Sequence, residues 1–264
     1  LDKRNSMYLM RAEVPGPEKD KLVPKTMSTA RILYGMYFGM TAIEVILLLF
    51  GGMNVFDSLI FSFGTAGTGG FANYSASVGH FNSVYIDTVI TVFMILFGIN
   101  FNLYYFLLLK DWKSVWKNEE LKTYLTLILS AALLITVNMN HMYPNPFKAF
   151  RYAIFQVASI ITTTGYATAD FIEWPMFSQC MLMFLMMVGA CASSTGGGMK
   201  VSRVMMMVKC VKREIMQMAH PKSVSIIRMN GKKVDQDVLK TLYIYLIAYL
   251  GILIGSILLV SVDD

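Results

Sequence analysis

Two short apolar runs, residues 55–66 (VFDSLIFSFGTA) and 149–161 (AFRYAIFQVASII), each lead straight into a strand of threonine and glycine. The strands align at an offset of 95 residues, with Thr68 on Thr163, Gly70 on Gly165 and Phe71 on Tyr166. Leu59 and Ile154 match within the runs, and Ala66 and Ile161 at their ends. A bilayer core about 30 Å thick takes roughly 20 apolar residues to cross as a helix, so runs of this length suit re-entrant segments that enter and return. Irregular backbone at membrane depth is tolerated only where it lines a cavity or is buried in protein. Repetition of the unit therefore implies a membrane-embedded helical architecture with a site on the axis between the repeats.

The flanking sequence agrees. Five longer stretches read as spans: 32–53, 88–109, 123–139, 176–199 and 241–262, with Glu44 the one charged residue inside them. The order span, short apolar helix, Thr/Gly strand, span occurs twice, and the fifth span opens a third unit. Hydrophobic residues make up 55% of the chain and charged residues 15%, too few charges to cover a water-solvated surface. The net charge of +6 raises the question of nucleic acid, and the placement of the basic residues answers it. Of 23 Lys and Arg residues, seven precede the first span, four lie at 110–122 and ten at 200–240. Lys148 and Arg151 are the exceptions. Basic residues concentrated beside spans mark the cytoplasmic face, which puts 51–87 and 138–175 outside. Three cysteines with no CxxC spacing indicate neither a disulfide framework nor a zinc site.

The strand chemistry favours a cation. Glycine opens backbone conformations closed to other residues, so successive carbonyls can point the same way. Such carbonyls replace the hydration shell of an ion, as in the TVGYG strands of potassium channels. The short helix before each strand aims its negative, C-terminal end at the axis. Neither strand carries Asp, Glu, Lys or Arg, so selection by a ring of charged side chains is not indicated. Among single polar residues, Glu44 reads as a packing or interfacial group, and Asn100 and Asn102 as hydrogen-bonding within the bundle, with Asn100 near the pore wall. His80, His141 and His220 fall in connections without metal-ligand spacing.

A glycine cluster, SSTGGGMK at 193–200, ends the fourth span. It does not fit a phosphate loop: Met199 separates Gly198 from Lys200, no Ser/Thr follows the lysine, and a membrane helix precedes it. Two readings stand, a small-residue packing surface and a helix break. Three consecutive glycines cost roughly 1 kcal/mol each in a helix relative to alanine, and Ser193, Ser194 and Thr195 can satisfy the freed backbone groups.

These residues resemble the TrkH-type subunits of the bacterial Trk/Ktr/HKT potassium transporter superfamily, along essentially the whole chain. The resemblance rests on 8–25 (YLMRAEVPGPEKDKLVPK), on TAGTGGF at 65–71, on TTTGYAT at 162–168 and, most specifically, on GACASSTGGGMK at 189–200 followed by Arg203. It implies an all-α membrane protein of repeated span–pore helix–filter strand–span units around a central ion pore. It implies a potassium-binding filter formed by Gly67, Thr68, Gly69 and Gly70 together with Thr162, Thr163, Thr164 and Gly165. It also implies a gating loop of Ser194, Thr195, Gly196, Gly197 and Gly198, with Lys200 and Arg203 as the adjacent basic residues.

The implied organisation is a cytoplasmic connection at 1–30, the second of four repeats at 31–110, and a cytoplasmic loop at 111–122. The third repeat, with its broken inner helix, follows at 123–218, then a cytoplasmic connection at 219–240 and the first span of the fourth repeat at 241–264. Two repeats cannot close a four-sided pore by themselves. The implied activity is potassium uptake across a bacterial inner membrane by a multi-pass protein, with K⁺ as the transported ion and no covalently bound cofactor. The implied partners are a second copy and a cytosolic nucleotide-binding regulatory subunit of the TrkA kind, besides the lipid bilayer; nucleic acid is not among them. Two rival readings fit the residues less well. A secondary transporter of a small solute or sodium would bring polar side chains to the breaks, where the strands offer only threonine and backbone. An enzyme would need a nucleophile–base pair or metal cluster within the spans, and none is seen.

Overall fold

Helix α1 (Thr26–Phe50) is followed after a Gly51–Gly52 turn by the short α2 (Val55–Ala66). The computed structural model describes residues 26–220 and 226–262. The segment 8–25 that shares in the resemblance, and the basic residues Lys3, Arg4, Arg11, Lys19, Lys21, Lys25 and Lys222, lie outside them. Asn54 starts α2 as its N-cap, its side chain accepting from the Asp57 N–H at 2.7 Å. Asp57 then ties the chain beyond the first strand back to this helix start: it accepts from Asn73 at 2.5 Å and from the Tyr74 hydroxyl at 2.9 Å. That bond to a carboxylate holds the Tyr74 hydroxyl above the ordinary tyrosine range.

The second expected span, 88–109, is not one helix. It divides into α3 (Val84–Phe97) and α4 (Phe101–Leu108), which meet at 90°. Two local features make the corner. Gly98 caps α3, and a Cβ there would run into the Tyr124 hydroxyl and come within 2.9 Å of the Thr162 methyl. Asn100 caps α4 by accepting from the Asn102 N–H at 3.0 Å. After the short α5 (Trp112–Lys117) come α6 (Glu119–Asn138) and α7 (Pro146–Ile161). The seven-residue connection ends at Asn145 and Pro146, a side-chain cap followed by the residue with a preset helical φ, which starts α7 three residues ahead of its expected apolar run. Helix α8 (Met176–Val188) is shorter than its expected span, 176–199: it stops at Gly189, whose φ of +74° leaves helical space.

Two compact bodies result, one within Pro24–Val201 and one within Ser202–Asp264. In the first, α7 is the hub, packing on α3, α6 and α8, while α1 packs on α2 and α3. Leu48, Phe61, Ile90, Met94, Phe155 and Tyr166 form one shared core beneath both short helices. In the second body, α9 (Val201–Ala219), a hairpin of β1 (Arg228–Met229) and β2 (Lys232–Lys233), and the start of α10 (Gln236–Val260) enclose Met206, Cys210, Met229, Leu239 and Leu242. The hairpin is an addition to the all-helical expectation. Its signal is Asn230-Gly231, both at positive φ (50° and 77°), the pair a two-residue hairpin turn requires.

Of the two exceptional basic residues, Arg151 finds its explanation on α7. Arg151 pairs with Asp87 of α3 at 3.4 Å, with side chains 18% and 4% exposed, and its guanidinium lies 5.0 Å from the Tyr152 ring centroid. A charge outside the cytoplasmic set is thus kept by a partner on the neighbouring unit. Arg151→Ala leaves the Asp87 carboxylate buried without its counter-charge and is expected to destabilise the fold by about 3 kcal/mol. Thermal unfolding in detergent checks this, and an unchanged midpoint would show that the pair does not join the two units.

Candidate functional site

Both strands leave their short helices by the same path. At the end of α2, Gly67 is right-handed (φ −82°) and Thr68 left-handed (φ +51°); at the end of α7, Thr162 (φ −85°) and Thr163 (φ +59°) repeat this turn. Gly70 and Gly165 are again left-handed, at +63° and +85°. Hydrogen bonds repeat donor for donor. The N–H groups of Gly67, Thr68, Gly69 and Gly70 fold back on the carbonyls of Phe63, Thr65, Gly64 and Gly64 at 2.9, 3.1, 2.9 and 3.3 Å. Ninety-five residues on, those of Thr162, Thr163, Thr164 and Gly165 bond to Ala158, Ile160, Ser159 and Ser159 at 3.1, 3.0, 2.9 and 3.3 Å. A right-then-left pair of residues turns successive N–H groups to one side. With the donors committed to the helix end, the carbonyls of Thr68, Gly69, Gly70, Thr163, Thr164 and Gly165 accept from no described residue. A β-branched residue at positive φ is strained by roughly 1–3 kcal/mol, and two threonines hold this geometry at matching positions.

Threonine side chains divide between two tasks. The hydroxyls of Thr162 and Thr164 turn inward, 2.8 Å from each other, and Thr162 also donates to Ala158 O at 2.6 Å. Those of Thr68 and Thr163 face the chain that follows α8. Thr68 Oγ1 shares its proton between Gly67 O at 2.8 Å and the Thr195 carbonyl at 3.0 Å, while Thr163 Oγ1 donates to Thr162 O at 2.6 Å and accepts from the Gly197 N–H at 2.7 Å. Both strands are thereby bonded to the glycine cluster.

The break between α8 and α9 is longer than the five residues 194–198 singled out in the sequence. It runs from Gly189 to Lys200, with positive φ at Gly189, Ser193, Gly198 and Lys200. Its backbone groups are satisfied largely at the α3–α4 corner. Cys191 N–H donates to Gly98 O at 3.0 Å, Phe101 N–H to Ser193 O at 3.0 Å, and the Thr195 hydroxyl to Phe97 O at 3.2 Å. Ser194 closes a turn onto Cys191 O at 2.6 Å, and the Lys200 ammonium donates to the Gly196 carbonyl, so this lysine is a strut of the loop itself. Arg203 lies in the second body, its guanidinium 4.1 Å over the Tyr245 ring.

Three features of the site's surroundings are decided by packing rather than by the sequence. The corner at 97–101 receives the loop, and its one advance signal was Gly98 with the polar Asn100. Tyr166, fully buried, reaches from the second strand to the carbonyls of Phe61 and Phe71 at 3.1 Å each, while its counterpart Phe71 is 77% exposed. The repeat alone made these two residues equivalent; packing separates them. Glu44 is fully buried, which excludes the interfacial role.

Two helix–strand hairpins with matched backbones, carried between spans and bonded to a broken helix, define the pore-loop class of membrane transport proteins. The chain belongs to the TrkH family of cation transport proteins, whose sequence model matches residues 1–263. It is 34% identical to a Trk system potassium uptake protein TrkH of Vibrio parahaemolyticus, over 92% of this chain and 51% of that one. It is 33% identical to the protein of that name from Escherichia coli K12, over 98% of this chain and 55% of the relative. The crystal structure of the potassium transporter TrkH from Vibrio parahaemolyticus superposes with a TM-score of 0.84 at 30% identity, covering 94% of this chain and 54% of the other. The chain spans about half the length of these relatives.

Proposed function

We propose that this chain supplies two neighbouring quarters of a potassium-uptake pore. The observation that carries the reading is the equal geometry of the two strands: the same turn, the same four N–H bonds, and on each strand three carbonyls that accept from no described residue while the first accepts from a threonine hydroxyl. Gly67–Gly70 and Thr162–Gly165 then coordinate K⁺ by backbone oxygens in place of its water. The segment Ser194–Gly198, bonded to both strands through Thr68 and Thr163, obstructs the path beside them and acts as the gate. Lys200 braces that gate, and Arg203 lies in the first turn of the helix through which a partner acts on it. Units 31–110 and 123–218 are successive repeats, 111–122 and 219–240 their cytoplasmic connections, and 241–264 the first span of a further unit. The partners are a second copy and a cytosolic nucleotide-binding subunit of the TrkA kind, and the location is a bacterial inner membrane.

Rubidium-tracer uptake into vesicles bearing the full-length protein tests the reading. Excess K⁺ is expected to abolish tracer uptake, and the same excess of Na⁺ to leave most of it. Equal competition by the two ions would refute potassium selection by these carbonyls and favour the broken-helix secondary transporter.

A further inference from the structure

We propose that Glu120 is the latch that holds the glycine loop against the strands, an inference that rests on the gate reading of that loop. Glu120 lies in the first turn of α6, 3% exposed, and its Oε1 accepts from the Ala192 N–H at 2.7 Å across 72 residues of chain. Asn118 fixes that turn by accepting from the Leu121 N–H at 2.8 Å. One turn further on, Tyr124 is fully buried and donates its hydroxyl to Ile95 O at 3.2 Å, against Gly98. Positions four apart share a helix face, so one face of α6 engages both the loop and the corner that receives it. The corner holds the loop through backbone and neutral hydroxyl groups. Glu120 contributes a carboxylate, placed at a helix N-terminus that stabilises its charge and making a bond roughly twice as strong as a neutral one. Burying such a group is costly unless it is hydrogen-bonded, which sets its preference for the loop in its docked position. Glu120 acts through the loop, as a positioning residue.

Cys191, fully buried beside Ala192, reports the docked loop, with exposed Cys180 and buried Cys210 as references in the same protein. The test compares wild type, Glu120→Ala, Glu120→Gln and a deletion of Thr195–Gly198 in the full-length protein. It reads potassium flux per folded protein and N-ethylmaleimide alkylation of each cysteine by peptide mass spectrometry. Glu120→Ala is expected to speed Cys191 alkylation about tenfold or more, the worth of one charge-assisted hydrogen bond, and to raise flux, with Cys210 still protected. Glu120→Gln keeps an acceptor oxygen and is expected to restore most of the protection, an effect that general unfolding does not produce. Unchanged Cys191 alkylation in Glu120→Ala overturns the latch whatever the flux. So does faster alkylation without extra flux where the deletion does raise flux. A deletion that leaves flux unchanged overturns the gate reading instead, and the alkylation result then decides by itself whether Glu120 holds the loop.

Discussion

Replacing Gly196, Gly197 and Gly198 together by alanine is expected to raise potassium flux per folded protein by about tenfold or more. Helix propensity alone leaves the sign open, because a segment that turns helical either withdraws from the pore or locks across it. The docked geometry decides. A Cβ on Gly196 would stand 2.6 Å from the Ala190 Cβ and 3.0 Å from Thr162 O. One on Gly197 would stand 3.1 Å from Thr163 Oγ1, the atom its own N–H bonds to. Gly198 is at φ +78°, where its Cβ would meet the Gly189 Cα at 2.7 Å, and left-handed backbone costs alanine about 1–2 kcal/mol. All three changes oppose the docked loop, and the same alanines favour a helix once it leaves. Flux equal to or below wild type, in protein shown to be folded, would remove this segment from the gate.

Gly70→Ala is expected to abolish selective uptake, a loss of about a hundredfold or more. Its φ is +63°, and the added Cβ would collide with the Thr164 carbonyl of the adjacent strand. That collision displaces one of the oxygens proposed to bind the ion, so selectivity is expected to fall with rate. Gly165→Ala meets no atom within 4 Å, and its φ of +85° is the whole of its strain among the described residues. Its expected loss is smaller, about tenfold, from the cost of a left-handed alanine. Tracer uptake with K⁺ and Na⁺ competition on both variants checks the pair. Wild-type selectivity in Gly70→Ala would sink the filter assignment, because no alanine fits that contact unless the strand lies elsewhere.

Much of the site was legible because its chemistry is local. Thr68 and Thr163 fall at one register, and Gly70 and Gly165 at another, since each strand must turn its donors onto its own helix end within a few residues. The triple glycine announced a break because no tertiary contact makes such a segment a good helix. Less visible were the places where backbone is satisfied at long range. Residues 88–109 are apolar enough to read as one span despite Gly98, Asn100 and Asn102, so the 90° corner is not evident from the sequence. Its reason is the Tyr124 hydroxyl and the loop N–H groups, 26 residues or more away in sequence. Arg151 looked like an exception to the charge partition, and only the position of Asp87 on α3 accounts for it.

The sequence by itself determined the membrane-embedded helical class, the two-fold repetition at an offset of 95, and the residues able to form carbonyl strands. Hydrophobic length, glycine and repeat register are properties of the chain, and they need no partner to act. Tertiary structure alone decided what the broken helix touches and which way its glycines bias it. It also decided that Tyr166 is a buried strut where Phe71 is open, and that Glu120 reaches Ala192. Each of these is a hydrogen bond or close contact between segments far apart in the chain, and buried backbone takes whatever partner the packing brings within about 3 Å.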